Sequence, residues 1–224
     1  MMAKNKHPMA ELPENERIDY LRAVANIASC DGAVMDGEVD QLRSMCKTLD
    51  LGDKATGKVL GALYDPDTVP LEQILEGYAH KDSRFTLLTD ALFVAYADGP
   101  INSLEEGVIK GMAGKLRIDD HQIAAIRQYV EATRRAAKGG DTQQDLKNLG
   151  ANVAAGLASV GVPVTAVAVS GSVFGLSAPG VTSGLAALGL GLGMVPGLAV
   201  AIGIGVASYL GVKWLYKTFF GDEE

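Results

Sequence analysis

Residues 148–212 contain no Asp, Glu, Lys, Arg or His, a run of 65 positions. A helix on a soluble protein needs a polar face, so a run this long without one is poor material for the surface of a globular domain. A bilayer-spanning helix takes roughly 20 apolar residues, which leaves room for two spans. Pro163, Pro179 and Pro196 interrupt the run. The expected arrangement is a hairpin with arms Leu149–Leu176 and Leu185–Val212, joined through Ser177-Ala178-Pro179-Gly180. Lys213, Trp214, Tyr216 and Lys217 follow the second arm. Aromatic rings and snorkelling lysines suit the headgroup level, so these four are the expected membrane-interface residues. Basic residues also precede the run (Arg134, Arg135, Lys138, Lys147). Under the positive-inside rule both ends belong in the cytoplasm, which an even number of spans satisfies. The run holds 14 glycines. Gly189, Gly193 and Gly197 recur every four residues, as do Gly203, Ala207 and Gly211. Such spacing suits close helix packing in lipid, within the hairpin or in a homo-oligomer, although Gly/Ala-rich composition also produces it by chance.

The remainder is chemically different. Of 47 charged side chains, 42 lie in residues 1–147, with 24 acids against 18 Lys and Arg. An acidic domain repels phosphate, so nucleic acid is excluded as an expected partner, and cations or a basic protein partner are favoured. Cys30 and Cys46 make no disulfide framework and read as small buried residues in a reducing compartment. Residues 1–20 carry many charges and no apolar core of a secretory signal. The expected organisation is a flexible N-terminus at 1–14, a helical domain at 15–137, a linker at 138–147 and an apolar hairpin at 148–220.

The domain is internally duplicated at an offset of 67 residues. Ile27-Ala28-Ser29-Cys30-Asp31-Gly32-Ala33-Val34 returns as Val94-Ala95-Tyr96-Ala97-Asp98-Gly99-Pro100-Ile101, and Glu38 returns as Glu105. Leu42, Met45, Leu49 and Leu51 return as Ile109, Met112, Leu116 and Ile118. Apolar matches at helical spacing predict helix, sharp turn, helix in each copy. Gly32 and Gly99 stand where a left-handed cap is expected. Asp36 is the expected N-cap in the first copy, and Ser103-x-x-Glu106 the expected capping box in the second. Further helices are expected at 53–64, 71–80 and 119–137. The fold class is all-α: a bundle of about seven helices with internal duplication, plus the apolar helical hairpin.

Both copies carry Asp-Gly-x-(Val/Ile)-x-x-x-Glu, the second half of an EF-hand loop. The first half fails, because positions one and three are Ile27 and Ser29, then Val94 and Tyr96. Two independent EF-hands are therefore rejected. A composite site remains: packed about a pseudo-twofold axis, Asp31, Glu38, Asp98 and Glu105 could converge on calcium or magnesium, hard cations that take oxygen ligands. The alternative is structural. Asp31 and Asp98 would bond turn amides, and Glu38 and Glu105 would sit in helix first turns for dipole reasons.

The duplicated pattern, on an acidic domain of about seven helices, resembles the TerB-like family named after tellurite resistance. The resemblance covers roughly residues 15–137. It implies a compact helical domain with a duplicated core, a divalent-cation site at Asp31, Glu38, Asp98 and Glu105, and a place in bacterial stress or phage-defence complexes near the membrane. The first copy departs from the pattern with Cys30 in place of Ala97, and with Asp36-Gly37 before its glutamate.

Nothing points to catalysis. His7, His80 and His121 are scattered, no serine sits in an elbow motif, and the glycine-rich runs lack a phosphate-loop ending. The leading expectation is a membrane-anchored, cation-responsive interaction or scaffold module at the cytoplasmic membrane. The alternative is an effector whose hairpin inserts or oligomerises and permeabilises the bilayer; its composition resembles the inserting hairpins of pore-forming colicins. A third expectation is a structural membrane subunit whose acidic domain binds one basic partner.

Overall fold

The computed structural model describes residues 8–30, 32, 34–97, 99–138, 143–168 and 170. Among these the architecture is all-α, with no strand. A 3-10 turn at Pro8–Glu11 leads into α1 (Glu14–Ala28), α2 (Asp36–Thr48) and α3 (Asp53–Gly61). Residues of the expected flexible N-terminus are thus already held, since Met9 lies in the core. A second 3-10 turn at Pro66–Thr68 precedes α4 (Leu71–Tyr78), α5 (Ser83–Ala95), α6 (Ser103–Lys115) and α7 (Asp120–Lys138). Then follow α8 (Gln143–Ser159) and α9 (Val164–Ala168).

The duplication is carried by the backbone. Shifting by 67 residues takes the end of α1 to the end of α5, both ends of α2 to those of α6, and the start of α3 to the start of α7. Helices α2 and α6 also finish alike. Leu51 N donates to Cys46 O at 2.9 Å and Asp50 N to Lys47 O at 3.2 Å. In the second copy Ile118 N donates to Ala113 O and Arg117 N to Gly114 O at the same distances. This is the Schellman closure, and its left-handed residues are Asp50 (φ 55) and Arg117 (φ 56), neither a glycine. The apolar residue that follows, Leu51 or Ile118, turns back into the core in each case.

Several local expectations shift. The N-cap of α2 is Met35, with Asp36 the first helical residue, and the N-cap of α6 is Asn102, not Ser103. Asn102 wins because its carboxamide accepts from Leu104 N and Glu105 N at 2.9 and 3.0 Å. The box partner is therefore Glu105, not Glu106, which instead meets Arg127 at 2.5 Å. Gly32 has the expected left-handed backbone (φ +75), but Gly99 does not.

Helices α1 and α5 pack most extensively on each other, and each also meets the partner helix of the other copy, α6 and α2 respectively. Every residue of α5 from Phe85 to Ala95 is buried. Burial on all sides marks α5 as the axis of the bundle, with α1, α7, α6 and α9 around it.

The start of the charge-free run belongs to this core. Val153, Leu157, Val162 and Val167 are buried in the same cluster as α1 and α5. Helix α8 lies on α7, and α9 lies on α5. The expected first arm, Leu149–Leu176, is not one continuous helix in its described part. Helix α8 closes with Gly161 left-handed (φ +71), Val162 N donating to Leu157 O at 2.9 Å, and Pro163 directly after. Gln122 Nε2 ties this turn to α7 through Val160 O at 3.0 Å. Among the described residues no helix is long and apolar enough to cross a membrane.

Candidate functional site

The duplicated motif places a glutamate at the third position of α2 and of α6. Glu38 Oε2 accepts from Met35 N at 2.8 Å, and Glu105 Oε2 accepts from Asn102 N at 2.7 Å. Both side chains are buried, with 2% and 4% of their surface exposed. A buried carboxylate must be compensated, and an amide at the positive end of a helix supplies part of this. Each glutamate thus closes the entry of its helix through a hydrogen bond to the N-cap amide.

Asp31 and Asp98 lie outside the described residues. Next to them, Cys30 N donates to Ile27 O and Gly32 N to Ser29 O, both at 3.2 Å, and Ala97 N donates to Val94 O at 2.9 Å. Among the described residues no group of three or more His, Cys, Asp and Glu side chains forms a metal cage. Of the four acids expected to converge, the two that are described, Glu38 and Glu105, are each bound to the start of their own helix.

The end of α5 is also gripped from across the bundle. Arg134 Nη2 donates to Tyr96 O at 2.6 Å, and its guanidinium stacks over the Tyr96 ring at 4.8 Å. Tyr96 OH donates to Glu131 Oε1 at 3.1 Å. Arg134 thus caps the end of α5 across the bundle.

A polar centre that sequence reasoning did not find lies within α5. Asp90 is fully buried, and Tyr20 OH of α1 donates to its Oδ2. Burial pushes the Asp90 carboxyl up to about 7, against the pull of hydrogen bonds from Tyr20 and Ser170. Burial likewise raises Tyr20, with the negative charge of Asp90 adding to it. The available signal is a lone carboxylate inside the apolar stretch Phe85–Ala95. Cys46 is also deep in the core, where burial raises its thiol to about 11, so it is an unreactive packing residue.

The expected interface residues Lys213, Trp214, Tyr216 and Lys217 lie outside the described residues. So do the expected packing residues Gly189, Gly193, Gly197, Gly203, Ala207 and Gly211.

Residues 66–128 match the family model described as Tellurite resistance protein TerB. The match runs from the second 3-10 turn into α7 and includes the second Asp-Gly motif, so this helical part of the bundle is similar to that family. The first copy of the motif precedes it. No curated protein and no solved structure matches the chain.

Proposed function

We propose that the protein is a non-catalytic, membrane-anchored TerB-like interaction or scaffold module that responds to a divalent cation and serves bacterial stress or phage defence. The observation that carries the reading is the conjunction of a TerB-like helical domain, a duplicated acidic turn with both glutamates buried at equivalent helix starts, and a charge-free run through residue 212. In this reading Asp31 and Asp98 join Glu38 and Glu105 around calcium or magnesium. The cation changes how firmly the two turns are held, and with them the acidic face offered to a basic protein partner. The part of the apolar run beyond the bundle, residues 171–212, anchors the module, both chain ends stay cytoplasmic, and Lys213, Trp214, Tyr216 and Lys217 sit at the headgroups. The glycine stripes would pack the hairpin on itself or on a second copy.

The test is thermal unfolding of the full chain in detergent with and without calcium or magnesium, alongside flotation with anionic vesicles. A cation-dependent rise in Tm that disappears in the Asp31→Asn, Asp98→Asn double variant is expected. No rise with either cation in the wild type sinks the sensing half, and failure to float sinks the anchor. A second reading is favoured by the docking of α9 on α5: the bundle restrains a membrane-permeabilising segment. Dye release from vesicles by the full chain separates an effector from an anchor.

A further inference from the structure

The repeat builds one groove twice, between its first and third helices, and among the described residues fills only one of them. In the second copy α8 lies on α7 and α9 on α5. In the first copy the equivalent place, between α1, the end of α3 and the second 3-10 turn, is a cleft of about 510 Å³ lined by Arg22, Lys58, Gly61, Ala62, Asp65 and Thr68. Shifted by 67 residues, Arg22, Lys58 and Asp65 become Thr89, Ala125 and Ala132, which are uncharged and buried. The first copy thus sets three charges around a space that the second copy closes. Arg22 is held in place: its Nη2 donates to Thr68 O at 2.7 Å, and its Nη1 lies 3.3 Å from Asp19 Oδ1. Lys58 and Asp65 are exposed, and neither has a side-chain hydrogen bond or an ion pair, with each other or with any other group. Gly61 opens the space between α1 and α3. Its helical backbone does not require glycine, and a Cβ there would meet nothing within 4 Å. In the second copy Gln128 takes this position, and its Oε1 lies 3.8 Å from where a Cβ on Gly156 of α8 would stand.

We propose that this cleft binds a small zwitterion, an α-amino acid with an uncharged side chain. An unpaired cation and an unpaired anion that line one cleft without meeting complement a ligand carrying both charges. The ligand carboxylate goes to Lys58 and to the N–H groups of Arg22 that Asp19 and Thr68 leave unused. The ligand ammonium goes to Asp65 and to the carbonyl end of α3, where the helix dipole favours positive charge. Gly61 and Ala62 add no further charge to the lining, which leaves room for an uncharged side chain. A plain anion would meet Asp65, and a plain amine would meet Lys58. The volume is that of a small-ligand cleft. Charge pairs formed at exposed groups are weak, so the affinity is in the millimolar range. The proposal stands apart from both the cation and the membrane readings.

The test is heteronuclear NMR of the full chain in detergent, in a buffer free of divalent cations so that no chelated metal carries the ligand in. Glycine, alanine, serine, valine and leucine are titrated in turn. Saturable shift changes are expected with at least one of them, at Arg22 and residues 58–68 and not in α2 or α6. The analogues of that ligand without its amine or without its carboxyl (isovalerate and isobutylamine for valine) should bind on the order of tenfold more weakly. Lys58→Gln and Asp65→Asn should each weaken binding by a similar factor. Gly61→Gln, which sets the second copy's side chain in the cleft, should abolish it. All three positions are exposed, so these variants keep the fold, and an unchanged Tm checks this. Absence of saturable binding by all five amino acids overturns the proposal, as does undiminished binding in the Gly61→Gln protein. Binding that falls with Lys58→Gln but is indifferent to Asp65→Asn and to loss of the ligand amine identifies a plain anion site and overturns the zwitterion.

Discussion

At equivalent positions of the two copies, α1 leaves Asp19, Arg22 and Asn26 partly open to solvent, whereas Thr86, Thr89 and Phe93 of α5 are buried. The turn after α5 is gripped by Arg134 from α7 in addition to its backbone bonds. One three-helix pattern has thus been used twice, once as an outer wall and once as an axis. The pair Tyr20 and Asp90 marks the break most clearly: its symmetry mates are Leu87 and Ala23, both apolar and fully buried. One diagonal of the α1–α5 crossing is a hydrogen bond to a carboxyl, and the other is hydrocarbon. Duplication supplies a scaffold, and polarity placed on one side of its axis makes the two copies unequal.

The largest effects test whether the two copies still share one core. Leu21 and Leu88 are equivalent and fully buried. Leu88→Ala should cost about 2–5 kcal/mol, and Leu21→Ala about the same, by denaturant unfolding. If only Leu88→Ala is costly, the first copy is an appendage and the symmetry is one of backbone alone.

The pH dependence belongs to the second copy. Burial raises Asp90 to about 7, so the folded protein binds this proton more tightly than the unfolded chain does. Its contribution to stability is complete in acid below the ordinary carboxylate range, is lost as pH climbs toward 7, and is level above that. Between pH 5 and pH 8 the loss should be roughly 2 kcal/mol relative to Asp90→Asn. A wild type and an Asp90→Asn protein with parallel stability profiles would refute this. Tyr20→Phe should cost about 1–2 kcal/mol at pH 8, where the ionised carboxyl most needs its donor.

Much of the helical scaffold is legible in the sequence for a simple reason: two copies of one pattern confirm each other. Seven helices span this region, and the three expected at 53–64, 71–80 and 119–137 appear as α3, α4 and α7 with ends displaced by at most three residues. The capping register is less legible, because Asp36 and Ser103 are chemically good caps one residue from those used. Asp90 escapes notice because a single acid in an apolar helix carries no periodic signal, and its partner Tyr20 is 70 residues away in the chain. The role of residues 149–170 is also illegible from composition. Uncharged apolar residues satisfy a protein core and a lipid core equally well, and only Gly161 and Pro163 hint that α8 stops short of a span. The motif glutamates were visible as a pair, but their hydrogen bonds to Met35 and Asn102 depend on where each helix begins.

The two helix entries differ by about one hydrogen-bonding side chain. Asn102 caps α6 through two amides, while Met35, half exposed, has no side-chain oxygen to offer α2. Asn102→Ala should therefore cost about 1 kcal/mol, and Met35→Asn should return a similar amount to the first copy. Its backbone already has the extended geometry a cap needs (φ −91, ψ 150). A Met35→Asn protein with unchanged Tm would mean that the methionine makes contacts worth as much as a cap.

The smallest effects concern the two left-handed closures. Asp50 and Arg117 hold φ values of 55 and 56, a region that costs an L-residue about 1–2 kcal/mol. Glycine removes that strain but gives the unfolded chain more freedom, which offsets about 0.5–1 kcal/mol of the gain. Arg117→Gly should therefore stabilise the protein by about 0.5 kcal/mol. Aspartate tolerates left-handed backbone better than arginine, because its short polar side chain bonds locally, so Asp50→Gly has less strain to relieve. Arg17 Nη1 also donates to Asp50 O at 3.1 Å, a bond that favours the present backbone there. Asp50→Gly should thus fall near zero, and an equal gain at both sites would show that the closures are energetically interchangeable despite their different residues.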